Sequence, residues 1–198
     1  MRMEMEFMKK LLILSGFILL TAQINAQMIL KAGLDINGEH KVSVEGQSGT
    51  LDVKSGFNLG LEGYKEMNEN VDIGLGIGLQ IPREQKVPSD IEGESGKFSF
   101  LPIYTALRIH PAPSNFNGFG VIQLGYNMFN GDSDYKGDAS LSGGICYGFG
   151  GGVIMNNSVI VEILYSVNNG SASFYGTDFD VRYSKVNINL GIVLGGKR

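Results

Sequence analysis

Residues 71–81 read VDIGLGIGLQI, and this stretch decides the fold. Its odd positions are Val71, Ile73, Leu75, Ile77, Leu79 and Ile81; its even positions are Asp72, Gly74, Gly76, Gly78 and Gln80. A period of two sends successive side chains to opposite faces of an extended chain, so one face is wholly apolar and the other small or polar. A half-buried strand of a water-soluble sheet also alternates, but it carries lysine, glutamate and threonine toward water. Glycine in that role suits a crowded interior.

The same period recurs along the chain. Residues 30–36 set Leu30, Ala32, Leu34 and Ile36 against Lys31, Gly33 and Asp35. Residues 53–63 set Val53, Phe57, Leu59 and Leu61 against Lys54, Gly56, Asn58, Gly60 and Glu62. Residues 98–109 are apolar throughout at first and then set Leu107 and Ile109 against Arg108. Segments 120–128, 141–149, 159–167 and 186–194 alternate in turn, the third placing Glu162 and Ser166 opposite Val161, Ile163 and Tyr165. Eight strands of about ten residues result, the length a tilted membrane-crossing strand needs.

The connections test this reading independently. Links 37–50, 82–97, 129–138 and 168–180 are long; links 65–70, 110–117 and 155–158 are short, and the two kinds alternate. Long loops at one rim and tight turns at the other mark an up-and-down barrel of the outer-membrane kind. The short links carry turn chemistry, including Asn68-Glu69-Asn70 and Asn156-Asn157-Ser158. An even strand count puts both termini on one side, the periplasm.

Composition agrees. Glycine numbers 29 of 198 residues, about twice its usual ~7 % share. The net charge of −4 holds no basic footprint for nucleic acid. The single cysteine, Cys146, excludes an internal disulfide. At the front, Met8-Lys9-Lys10, the apolar run 11–20 and the small-residue end at Ala26 read as a cleaved signal peptide over residues 1–26, with Met8 as the expected true start. Residues 27–198 then form one barrel domain. The alternative fold is a soluble, lipocalin-like barrel.

The runs from Phe98 through Leu101-Pro102-Ile103-Tyr104 to His110, and from Gly118 through Leu124-Gly125-Tyr126, resemble small outer-membrane β-barrels of the OmpA/OmpX type. Gly150-Gly151-Gly152-Val153 and the following 161–165 resemble that family's next hairpin, and Asn189-Leu190-Gly191-Ile192-Val193-Leu194 resembles the start of the C-terminal strand that the barrel assembly machinery reads. The chain departs from that pattern in ending Gly195-Gly196-Lys197-Arg198, without an aromatic residue. The resemblance implies a bacterial outer-membrane protein, surrounded by lipid and delivered by that machinery.

Alternation assigns Lys31, Asp35, Lys54, Glu62, Asp72, Arg108 and Glu162 to the inner face. An eight-stranded barrel has room inside only for side chains. Charges enclosed there must pair, so the expectation is a salt-bridged interior plug centred on Arg108 and Glu162. Two histidines far apart, His40 and His110, make no metal signature, and no Ser-His-acid spacing points to an enzyme. No cofactor is expected. The functional reading is therefore a monomeric structural barrel, or one that meets host or surface ligands through its long loops. A narrow pore for small solutes is the alternative, and a lipid-modifying enzyme is less favoured.

Overall fold

In the computed structural model, residues 27–86, 96–111 and 117–195 are described. The signal-peptide reading of 1–26 and the proline-bracketed turn at 112–116 lie outside them. Strands β1 (Gln27–Val44), β3 (Gly56–Asn68), β4 (Val71–Gln80), β6 (Lys97–Ile109), β7 (Gly118–Gly131), β8 (Ser140–Met155), β9 (Val159–Phe174) and β10 (Thr177–Leu194) form an antiparallel meander. β10 returns to β1, from Met28↔Leu194 to Ser43↔Asp180, and so closes an eight-stranded barrel. Two short strands, β2 (Gln47–Val53) and β5 (Arg83–Glu84), pair onto β1 and β6, and one helical turn, α1 (Ser133–Lys136), follows β7.

The outward face carries the apolar half of the alternation. Leu124 and Leu190 are each 59 % exposed, and Ile145 61 %. A belt this large is untenable in water and is the lipid-facing band of a transmembrane barrel. Charge bounds it at both rims: Glu39, Lys41, Asp180 and Arg182 on one side, Lys65, Glu66 and Glu69 on the other, all exposed. On β10 the band runs from Val186 to Leu194, which at ~3.4 Å per residue and a ~40° tilt spans roughly 20–25 Å. Among the described residues no helix is long and apolar enough to cross a membrane; the strands do so.

Two of the expected long loops are strand. β1 and β2 run up to a two-residue turn at Glu45-Gly46, and β9 and β10 to one at Tyr175-Gly176, all four residues at positive φ. The alternation continues above the membrane, but there the outward face turns polar, with Glu39, Lys41 and Ser43 on β1, so the sequence reads as loop. Asn37, at φ 50°, marks a bulge where the β1–β10 register shifts between Ile36 and Glu39. An asparagine tolerates this left-handed conformation well. The bulge exchanges the two faces, so that below it Asp35 is buried and above it Gly38 and His40 are.

Among the described residues the β4–β6 seam of the wall is interrupted. The β4–β6 ladder runs from Val71↔Ile109 to Ile77↔Ile103, and β6 is next paired by β5 at Arg83↔Phe98. Pro82 and Pro102 fall in the interval, and neither has an N–H to give a ladder.

Candidate functional site

The polar half of the alternation fills the lumen in layers. Glycines on β4 make the room: a Cβ on Gly74 would stand 2.7 Å from the Tyr64 ring, and one on Gly76 would run into Tyr104. At the short-turn end, Ile29, Tyr64, Ala106, Phe119, Ile154 and Ile160 form an apolar floor. The Arg108 guanidinium lies against it, 3.8 Å from the centre of the Tyr64 ring and 4.5 Å from that of Phe119. None of its nitrogens makes a hydrogen bond, and Glu62 is 3.9 Å away. Its contact with the chain is thus mainly with aromatic faces. Nearby, His110 Nε2 and Asp72 Oδ2 are 2.8 Å apart.

Above the floor, Lys31 Nζ donates to Glu62 at 2.7 Å and to Glu162 at 2.8 Å. Glu62 Oε1 also accepts from the Tyr104 hydroxyl at 2.7 Å and from Gln123 at 3.1 Å, while Asn189 donates to Glu162 at 3.0 Å. The next layer centres on Asp35. It accepts from Arg83 at 2.6 Å, Lys185 at 3.1 Å and Asn58 at 2.6 Å, and from Asn187. Arg83 donates as well to the carbonyls of Ile81 and Phe57.

The far end is aromatic. Phe100 stacks on Phe129 at 4.5 Å, and Phe98 meets Tyr183 edge-on at 5.3 Å, with Val53 and Val181 completing the cluster. Over it, beyond the lipid-facing band, buried His40 sits between the Tyr135 hydroxyl, 2.7 Å from Nε2, and Gln85, 3.0 Å from Nδ1. Burial pushes the His40 imidazole down to about 4. At the rim, hydrogen bonds from Lys54 and Lys97 hold the Glu84 carboxyl below its ordinary value.

Six residues assigned inward from the sequence, Lys31, Asp35, Glu62, Asp72, Arg108 and Glu162, are buried. Lys54 is not. Its side chain is 59 % exposed and pairs with Glu84 at 2.7 Å. The strand is interrupted at Lys54-Ser55, between β2 and β3, so the parity counted from β3 does not carry across. Val53 is the residue that turns inward there, at 3 % exposure. Two buried cations went unassigned, Arg83 and Lys185. Lys185 stands two and four residues before Asn187 and Asn189, on their face, so its parity was readable. Arg83 follows a proline in an apparent loop and carries no such signal. With them the buried lysines and arginines match the buried aspartates and glutamates among the described residues, four against four. Lys31, rather than Arg108, is the group that bridges two carboxylates.

Between the Lys31 and Asp35 layers lies a cavity of about 70 Å³, next to the interrupted seam. Among the described residues no group of three or more His, Cys, Asp or Glu is placed to hold a metal ion.

No protein-family model matches the chain, and no curated protein does. Its fold, however, is that of small outer-membrane β-barrels. The chain superposes on the crystal structure of the outer membrane protein OprG from Pseudomonas aeruginosa with a TM-score of 0.52 at 16 % identity, over 86 % of this chain and 97 % of that one. It superposes on outer membrane protein AlkL, solved in lipid bilayers by solid-state NMR, with a TM-score of 0.54 at 10 % identity, over 87 % and 92 %. At these identities the likeness is one of fold.

Proposed function

We propose that the protein is a monomeric barrel of the bacterial outer membrane, akin to the OmpA/OmpX type, with a plugged lumen and a structural or surface-interaction role. On this reading residues 1–26 are a signal peptide removed on export, Met8 is the true start, both termini face the periplasm, and the barrel assembly machinery inserts the chain. It performs no catalysis. The observation that carries the plugged reading is the layering of the lumen. Lys31 is held by Glu62 and Glu162 across its width, and the Phe98, Phe100, Phe129 and Tyr183 rings are packed above them. Opening such a path would leave buried charges without partners, each at several kcal/mol. The projecting β1–β2 and β9–β10 hairpins then carry the interaction with host or surface ligands. The latter ends in an exposed aromatic tip, where Tyr175 is 86 % exposed.

Protein extracted with detergent from the outer-membrane fraction is tested in planar bilayers. Wild type is expected to show no stable single-channel openings. Large, regular openings overturn the plugged reading, and recovery in the soluble periplasmic fraction overturns the membrane placement.

A further inference from the structure

Lys41 on β1 and Arg182 on β10 stand directly opposite one another, both outward and both exposed. Like charges in that relation repel, because opposed Cβ atoms are only about 4.5–5.5 Å apart. Carboxylates are at hand: Glu39 in the next outward pair toward the membrane, Asp180 in the next one away from it. Neither cation makes an ion pair among the described residues. Instead, Arg182 Nη2 donates to the Tyr147 hydroxyl on β8 at 3.1 Å. To do so it crosses β9 and leans toward the membrane, since Tyr147 belongs to the row of Ser184 and Val167, one outward pair lower. Val167 faces outward in that row and is nevertheless wholly buried, beneath the crossing side chain. The guanidinium is thereby held away from Asp180, at the level of the Tyr147 ring, which is 36 % exposed at the edge of the apolar band.

We propose that Lys41 and Arg182 together bind the phosphate of an anionic lipid headgroup at this rim. Height selects the lipid. On β10 the apolar band ends at Val186, and at ~3.4 Å per residue and a ~40° tilt the Arg182 backbone is roughly 10 Å above it. The headgroup layer is about 5–8 Å deep on each side of a bilayer, so a guanidinium that leans down to Tyr147 lies within it, and the long Lys41 stem reaches it as well. Tyr147 engages only Nη2, which leaves the rest of the fork for the paired oxygens of a phosphate. An anion seated between the two cations also removes their repulsion. Glu39 and Asp180 flank the pair and cancel its charge at a distance, so the patch does not gather soluble anions from afar. A lipid phosphate needs no such field, because the adjoining lipid-facing band holds it at high effective concentration. The site rests on the membrane placement, not on the plug or on the orientation of the termini.

Detergent-purified, full-length protein is titrated with short-chain phosphatidic acid and, as control, with phosphatidylcholine of the same chain length, whose choline offsets the phosphate charge. Bound lipid is counted by native mass spectrometry. Saturable binding of phosphatidic acid, about tenfold or more tighter than that of phosphatidylcholine, is expected. Its dissociation constant should rise about tenfold in Lys41→Gln and in Arg182→Gln, and stay unchanged in Lys136→Gln, which removes an exposed positive charge on α1. Tyr147→Phe alters no charge but releases the guanidinium, and should weaken binding several-fold; a diffuse charge effect would leave it like wild type. Wild-type affinity in Lys41→Gln or Arg182→Gln, or an equal loss in Lys136→Gln, overturns the site. Displacement of phosphatidic acid by inorganic phosphate at equal concentration overturns the lipid source. Should Arg182→Gln not fold, Lys41→Gln and Tyr147→Phe decide. Failure to bind phosphatidic acid by protein recovered from the outer-membrane fraction overturns this proposal alone, whereas recovery in the soluble periplasmic fraction overturns the membrane placement beneath it.

Discussion

Lys31 on β1 donates to Glu162 on β9 across the lumen at 2.8 Å, joining residues 131 apart in the chain. The same ammonium holds Glu62, and the side chains of all three are at most 4 % exposed. Removing the cation alone leaves two buried carboxylates in need of neutralisation. Lys31→Met is expected to lower stability by about 3–5 kcal/mol, read from urea midpoints of refolding into lipid vesicles. Replacing Lys31, Glu62 and Glu162 together with apolar residues of similar volume should recover most of that loss, because no charge is then stranded. A triple variant as unstable as the single one would show that the pairing is not what the layer contributes.

The inward glycines of β3 and β4 differ in how much room they have. A Cβ on Gly76 meets the Tyr104 ring, which is itself held by Glu62, whereas one on Gly60 finds its nearest neighbour, Lys31 Cε, at an ordinary 3.7 Å. Gly76→Ala is expected to cost about 1–3 kcal/mol by overpacking. Gly60→Ala should be close to neutral, since removing glycine's freedom in the unfolded chain offsets the small repacking. Paired unfolding midpoints measure the difference. Equal effects would mean that the β4 glycines are not there for the rings.

How far the sequence could be read follows from where its alternation has contrast. Inside the membrane the outward face must be apolar and the inward face small or polar, so eight strands and six buried charges are legible. Above it the outward face turns polar, as Glu39 and Lys41 face water while His40 and Val42 face in, and β1 reads as a loop although it continues to Val44. The Asn37 bulge and the Lys54-Ser55 break each reset parity, and neither is visible as a change in residue type. The alternation therefore puts Lys54 inward, whereas its side chain is exposed. Arg83 was invisible because a two-residue strand after a proline has no period at all. The amides around the charges were on the polar faces as read. Which carboxylate each would serve is a matter of strand stagger, and that is set by closure of β10 on β1 rather than by any local pattern.

Arg108 is buried without a hydrogen bond and lies against the Tyr64 and Phe119 rings. A flat guanidinium stacks where an ammonium cannot, and it is the more weakly hydrated of the two. Arg108→Lys is expected to destabilise the barrel by about 1–2 kcal/mol, the value of a desolvated cation–π contact. In a double-mutant cycle, Tyr64→Leu should remove most of the difference between arginine and lysine. Full additivity of the two changes would show that the ring does not hold the cation.

His40 supplies the pH dependence of the outer end. It is enclosed by Tyr135 of α1, Gln85, Phe98 and Tyr183, none of which carries a negative charge to welcome a proton. Burial lowers its value from 6.5 to about 4. The unfolded chain therefore takes up the proton before the folded one does as the pH falls. Stability is full above about 6.5 and declines through the window down to about 4, where the folded form is protonated as well. The loss from this one group is on the order of 3 kcal/mol. Because carboxylates titrate in the lower part of the same window, the quantity to measure is the difference between wild type and His40→Gln. Unfolding free energies at several values between pH 7.5 and 4 should fall more steeply for wild type, by up to one proton. The α1 segment should become cleavable by protease first, as Tyr135 loses its hold on the imidazole. Parallel pH profiles for the two proteins would place the His40 ring in water rather than under Tyr135.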